Sequence, residues 1–326
     1  MPSLGHPATP AAAAGVALVC LLGVLTACGG AGAPPHGPST TPPAPASARA
    51  GPGAATSWRD ELRPPLGRLA GDRADLYPRK CQAGTRDTAV KLCADGPADA
   101  RRTVLGLGDS HANNWQPAYQ ALARDGRWRY LSGTKGRCSI WDVATDIPAL
   151  GGRYRACDTW RHHAFALAAR TRPDVVVAHA RFPWGYMLDS AGRPVRDDGA
   201  ALAAAVTSTV RHLRRSGGTV VVMLDSPTAT GKDSVEHCLR TATTPAACGF
   251  PSLTGAAERT VARRAAERAG AVVVDPYPLL CPGRTCPVVR GHIVLYRDGG
   301  HLTRTYVLSE RGWVRSWLYP LLATPR

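Results

Sequence analysis

Between Arg102 and Leu322 two kinds of stretch alternate along the chain. Five short ones, 103–107, 127–132, 173–179, 218–224 and 270–275, are rich in Val, Leu and other β-forming residues. Most are apolar throughout, without regular polar alternation, as expected of strands buried on both faces. The longer segments between them, 112–125, 156–171, 197–216 and 255–269, and a last one at 303–322, mix Ala and Leu with Arg and other polar residues. That mixture suits helices with one apolar stripe. Strands alternating with helices of this length predict a parallel sheet covered on both faces. Right-handed crossovers then give a three-layer, flavodoxin-like, doubly wound α/β fold of about five strands. Residues 58–100, with Pro64-Pro65 and Gly71, lack this rhythm and read as an N-terminal extension packed on the core, with the main domain at 101–326.

The first 57 residues follow a different pattern. Ala11 to Ala27 is an unbroken apolar run, short for a membrane span and of the length of a signal-peptide core. It ends Leu25-Thr26-Ala27-Cys28-Gly29, which resembles a bacterial lipobox with Cys28 as the lipidated residue. Residues 1–27 are therefore expected to be a lipoprotein signal. The alternative is an ordinary secretory signal, since Met1 to Gly15 contains no Lys or Arg. Residues 28–57, dominated by Pro, Ala and Gly, cannot bury enough surface to order themselves and read as a tether. Either way the chain is expected to be exported, lipid-anchored on the outer face of the cytoplasmic membrane or else secreted.

Export changes the reading of the cysteines. Of ten, Cys20 and Cys28 lie in the leader, and eight remain. An even set in an exported chain predicts disulfides, most simply between neighbours: Cys81–Cys93, Cys138–Cys157, Cys238–Cys248 and Cys281–Cys286. No Cys-x-x-Cys pair occurs, so no metal and no cofactor are expected. The net charge of +16 is nearly all arginine, scattered rather than striped with aromatics. Nucleic acid is excluded on that pattern, and attraction to an anionic envelope polymer is the better reading.

The chemistry concentrates in two places. Thr103-Val-Leu-Gly-Leu-Gly-Asp-Ser-His111 runs a buried strand into a turn, and Ser110 stands where the next helix begins. A serine there either caps the helix or presents its hydroxyl, with its own N–H, to a crevice beyond the strand. Far downstream, Asp298 and His301 flank two glycines, a spacing that lets the carboxylate orient the imidazole. A serine needs such a base, itself held by an acid. Gly106-x-Gly108 is no dinucleotide fingerprint, and Ala112 spoils the Gly-x-Ser-x-Gly elbow.

Gly108-Asp109-Ser110-His111 with Asp298-x-x-His301 resembles the SGNH (GDSL-type) hydrolases, above all the SGNH domains that accompany membrane acyltransferases O-acylating surface polysaccharides. The resemblance spans roughly 100–320, including Thr134 to Cys138 and the Tyr296-Arg297-Asp298 approach. It implies Ser110 as nucleophile, His301 as base and Asp298 as its partner. It also implies an oxyanion glycine after the second strand, Gly133 or Gly136. The family's Gly-x-Asn-Asp after the third strand is replaced by His179-Ala-Arg-Phe-Pro-Trp184. The third donor then falls to the Arg181 side chain or a nearby backbone N–H. Asn113 and Asn114, in the first turn after Ser110, are within reach of a pocket, and Trp184 and Tyr186 could stack on a sugar. His111 reads as a packing residue, and Asp225, ending the fourth strand, as a rival acid or a turn former.

Three functions compete. The first is a serine esterase or deacylase removing O-acyl, above all O-acetyl, groups from an envelope carbohydrate or a small ester. The second is an O-acyltransferase passing the same acyl-enzyme to a sugar, with a membrane acyltransferase as a possible partner. The third is a degenerate module that only binds polysaccharide.

Overall fold

The five predicted core strands are present in a computed structural model that describes residues 57–75, 79–228, 235–251 and 255–324. The expected signal segment, Cys28 and all of the expected tether but Ser57 lie outside the described residues. Strands are numbered along the sheet-forming chain: β1 Gln82–Ala83, β2 Leu92–Asp95, β3 Thr103–Gly108, β4 Arg129–Lys135, β5 Val175–His179, β6 Thr219–Met223 and β7 Val272–Val274. Its helices include α1 Ala112–Gly126, α2 Arg155–Thr171, α3 Asp198–Arg214, α4 Ala256–Arg268, α5 Arg304–Ser309 and α6 Arg311–Ala323.

Sheet order is β1-β4-β3-β5-β6-β7, all parallel where they pair, with β2 antiparallel on β4. The five core strands alone have the 2-1-3-4-5 order of a doubly wound fold, whose ligand crevice opens where the order reverses, beyond the carboxyl ends of β3 and β5. Their side chains alternate between two cores. Val104, Val175, Val177, Val221 and Met223 point into one, shared with Trp115, Tyr119 and Leu122 of α1 and Val307, Val314 and Leu318 of α5 and α6. Leu105, Leu107, Val176, Ala178, Val220 and Val222 point into the other, against Trp160 and Ala164 of α2, Leu202 and Val206 of α3 and Ala262 and Ala266 of α4. Continuous Val and Leu runs therefore form strands here because both pleat faces are dry.

Three details depart from the sequence reading. The segment before residue 101 is not wholly irregular: β1 and β2 both pair with β4, whose outer edge they divide. The predicted 127–132 strand is displaced, because Arg127 takes a left-handed conformation (φ 54°) that closes α1, and β4 then runs on to Lys135. The single C-terminal helix is split at Glu310, which ends α5. The four disulfides join Cys81 to Cys93, Cys138 to Cys157, Cys238 to Cys248 and Cys281 to Cys286. No helix among the described residues is long and apolar enough to cross a membrane.

Candidate active site

The turn that carries Ser110 depends on Gly108. A β-carbon there would lie 1.7 Å from the His179 carbonyl oxygen, so only glycine lets the ends of β3 and β5 approach this closely. Asp109, buried, then ties the turn to the loop after β5. Its Oδ1 accepts from the His111 backbone N–H (2.8 Å) and its Oδ2 from that of Arg181 (3.1 Å). Burial pushes the Asp109 carboxyl up; the nearby His111 charge opposes that and Asp225 reinforces it. Ser110 is left half-buried at the start of α1.

His301 reaches Ser110 across 191 residues of sequence. Its Nε2 lies 2.9 Å from Ser110 Oγ, and its Nδ1 lies 2.9 Å from both carboxylate oxygens of Asp298. Asp298 also accepts backbone N–H bonds from Gly300 (2.9 Å) and His301 (2.8 Å), and Arg297 Nη1 stands 3.3 Å from its Oδ2. Burial would raise its pKa, but the His301 hydrogen bond and charge, the Gly300 N–H and the Arg297 charge together hold it well below the usual carboxylate range. An ionised carboxylate only accepts, so the Nδ1 proton faces Asp298 and the Nε2 lone pair faces the serine hydroxyl. The Asp298-Gly-Gly-His301 spacing works because the Asp298 carboxylate closes the turn on its own backbone. Leu302 N–H is held by Asn114 Oδ1 (3.3 Å), which fastens this loop to α1.

A second histidine–aspartate pair lies directly behind the first. His111 Nδ1 is 2.6 Å from Asp225 Oδ1, and both residues are buried. Burial lowers the His111 pKa, yet the charge and hydrogen bond of Asp225, with Asp109 adding, carry it up to about 9. Asp225, which also accepts the Ser226 N–H (2.8 Å), is held below its ordinary value by the same pairing, against the pull of burial. Among the described residues, buried His179 has no hydrogen-bond partner on either ring nitrogen, and burial takes its pKa down to about 4. His111, His179 and Asp225 place ligand-type atoms within 4.8 Å of one another. Two ligands on one tetrahedral ion at about 2.1 Å would sit about 3.4 Å apart. The 2.6 Å contact is therefore a charge-assisted hydrogen bond, not a ligand spacing.

Ser110 stands on a ridge between two depressions. The larger, a cleft of about 640 Å³, has His301, Gly136, Arg137, Arg181 and the apolar wall of Ile147, Pro148, Phe182, Pro183 and Tyr186. The smaller is lined by Asn113, Asn114, Arg297, Arg304 and Leu302. Another depression, of about 460 Å³, lies at the opposite ends of the strands around the Arg102–Asp174 pair and holds no nucleophile.

The other expected site residues separate on this map. Gly136 lines the large cleft, but its N–H donates to Ala83 O (3.2 Å). Gly133 does not reach the cleft: it lies inside β4, paired with Leu92 and Leu107, because the strand runs three residues past where the sequence ended it. The Arg181 side chain is in the cleft, while its backbone N–H is taken by Asp109. Trp184 packs against the α3 side of the core, near Gly199, whereas Tyr186 is in the cleft. Asn113 is buried beside Ser110, with both side-chain polar atoms unpartnered among the described residues. Sequence reasoning overlooked Arg137 and did not join His111 to Asp225; a left-handed arginine (φ 59°) and a contact spanning 114 residues leave no local signal.

Among solved structures, the periplasmic domain of a lipopolysaccharide acetyltransferase from Salmonella ser. Paratyphi A superposes with a TM-score of 0.51 at 14% identity, covering 67% of this chain and 84% of that one. A GDSL-like lipase structure from Parabacteroides merdae gives a TM-score of 0.38 at 13% identity, over 68% and 97%. No curated protein matches the chain in sequence. The family model described as the SGNH domain, fused to AT3 domains, matches residues 80–309. The chain belongs to this SGNH domain family.

Proposed function

We propose that this is an exported serine-dependent acyl esterase that removes O-acyl, chiefly O-acetyl, groups from an envelope carbohydrate. The observation that carries the reading is the unbroken Ser110–His301–Asp298 relay, two successive contacts of 2.9 Å. Ser110 Oγ attacks the acyl carbon while His301 Nε2 takes its proton. The sugar oxygen leaves with that proton, and a water, deprotonated by His301, then releases the acid and restores Ser110. Asp298 keeps His301 in the useful tautomer. For the oxyanion we assign the Ser110 N–H and Asn113 Nδ2, the latter being buried, unpartnered and three residues from the nucleophile. The four disulfides favour an exported setting.

A second reading, transfer of the acyl group to a sugar hydroxyl, is favoured by the family's association with AT3 domains and by the acetyltransferase neighbour. The two share every step up to the acyl-enzyme and differ in what enters next. The test is p-nitrophenyl acetate turnover by wild type, Ser110→Ala and His301→Ala, repeated with oligosaccharide acceptors. Turnover lost in both variants supports the relay. Acetylated sugar in the product would move the assignment to transfer, and absence of any turnover would leave a carbohydrate-binding module.

A further inference from the structure

At least eleven of the 34 arginines among the described residues pair with an acid. Arg79 and Arg124 meet Asp95, Arg102 meets Asp174, Arg259 and Arg263 share Asp275, and Arg297 meets Asp298. Arg137 and Arg181 are not among these, and their place in the molecule sets them apart. Both are exposed, both line the large cleft with Ser110 and His301, and neither side chain has an ion pair or hydrogen bond among the described residues. The acids around the nucleophile are all engaged: Asp109 by two backbone N–H groups, Asp225 by His111, Asp298 by His301 and its own turn.

The backbone under these two side chains is held firmly. Arg137 is left-handed at φ 59°, a conformation that glycine would take at less cost. It follows Gly136, whose N–H donates to Ala83 O and whose carbonyl accepts Tyr154 Oη (3.0 Å), and precedes Cys138, bonded to Cys157. Arg181 is fastened through its N–H to Asp109, the residue before the nucleophile. Two unneutralised guanidinium groups thus stand on anchored backbone in the cleft that contains the hydroxyl and its base.

We propose that this cleft is an anion subsite. Arg137 and Arg181 take a carboxylate or phosphate carried by the same unit whose acyl ester is offered to Ser110, so the substrate is an acylated anionic polymer, not a neutral glycan. A guanidinium fork matches either oxyanion with paired N–H donors, and the Tyr186 and Phe182 wall lies along the intervening ring. The inference rests on the proposed esterase reading for its acyl group, but anion binding can be measured without turnover.

Two measurements test it on the full exported chain. First, kcat/KM is compared for three acetate esters that differ only on the alcohol side: 4-acetoxybenzamide (neutral), 4-acetoxybenzoate and 4-acetoxyphenyl phosphate. Wild type is expected to favour a charged probe at least tenfold, through KM, with the preference shrinking as salt rises. The better of the two charged probes identifies carboxylate or phosphate. In Arg137→Gln/Arg181→Gln the charged-to-neutral ratio falls toward one. Arg→Lys at both positions restores part of it, and Arg170→Gln, on the far end of α2, leaves it unchanged. Equal rates on charged and neutral probes in wild type overturn the proposal while leaving the esterase intact. Second, if no probe turns over, calorimetric binding of oligogalacturonate and of a glycerol-phosphate oligomer to Ser110→Ala decides. Binding lost in the double arginine background supports the subsite without the esterase, and no binding to either overturns it.

Discussion

Two histidine–aspartate pairs stand side by side here, their imidazole centroids 5.3 Å apart, and they have opposite fates. His301 and Asp298 have side chains 25% and 42% exposed, and His301 still has a ring nitrogen facing a hydroxyl. His111 and Asp225 are 4% and 11% exposed and 2.6 Å apart. The chemical groups are identical, so the difference is one of surroundings. A general base needs a free lone pair near neutral pH and a route for its proton. His111, held up at about 9, has no lone pair to offer at pH 7. It is instead a buried cation that, with Asp225 and Asp109, fixes the turn from which Ser110 projects.

This comparison is sharpest where its two halves are broken separately. The largest effect is expected from Ser110→Ala or His301→Ala, which should lower kcat by about 10³-fold or more with little change in the unfolding midpoint. A loss below tenfold in both would remove the exposed pair from the chemistry. Asn113→Ala should follow, at about 10² in kcat with KM nearly constant, the signature of a lost oxyanion donor. An effect confined to KM would place Asn113 in ground-state binding.

Asp225→Asn attacks the other pair. It leaves a buried imidazolium uncompensated and should cost about 3 kcal/mol of stability, read from denaturant midpoints. Folded protein should retain far more activity than His301→Ala does. If activity collapsed without loss of stability, the two pairs would not divide the work in this way.

The smallest effect is the pH dependence of stability. His111 rises from 6.5 unfolded to about 9 folded, so its contribution is complete below pH 6.5 and is lost as pH climbs through 9. His179 falls from 6.5 to about 4, so its contribution is complete above pH 6.5 and is lost as pH drops toward 4. Thermal midpoints should therefore peak near pH 6.5 and fall on both sides. In His111→Gln the alkaline limb should flatten while the acid limb remains. A profile flat from pH 5 to 9 would refute this account of both buried histidines.

Much of this was legible before any coordinates. The two periodicities, apolar runs for strands and stripes for helices, suffice to predict the α/β architecture, because a parallel sheet must be dry on both faces. The Ser110 turn and the Asp298–His301 turn were each visible as short motifs, since a close strand approach demands Gly108 and an acid three residues before a histidine can close a local turn. Neighbouring cysteines were a fair guide to the disulfides because each pair braces one short loop. Gly133 was misplaced because helix closure by Arg127 moved the strand boundary, and boundaries depend on packing and caps more than on composition.

The sequence by itself therefore determined the layered fold and the identity of the groups at the Ser110 turn, both of which rest on local pattern. Tertiary structure alone decided which histidine faces the serine, which is buried against Asp225, and which arginines are left without an acid. Those outcomes depend on strand order, which brings residues separated by more than a hundred positions to one rim of the sheet, and on burial, which leaves one imidazole–carboxylate pair open against a serine hydroxyl and encloses the other as an ion pair.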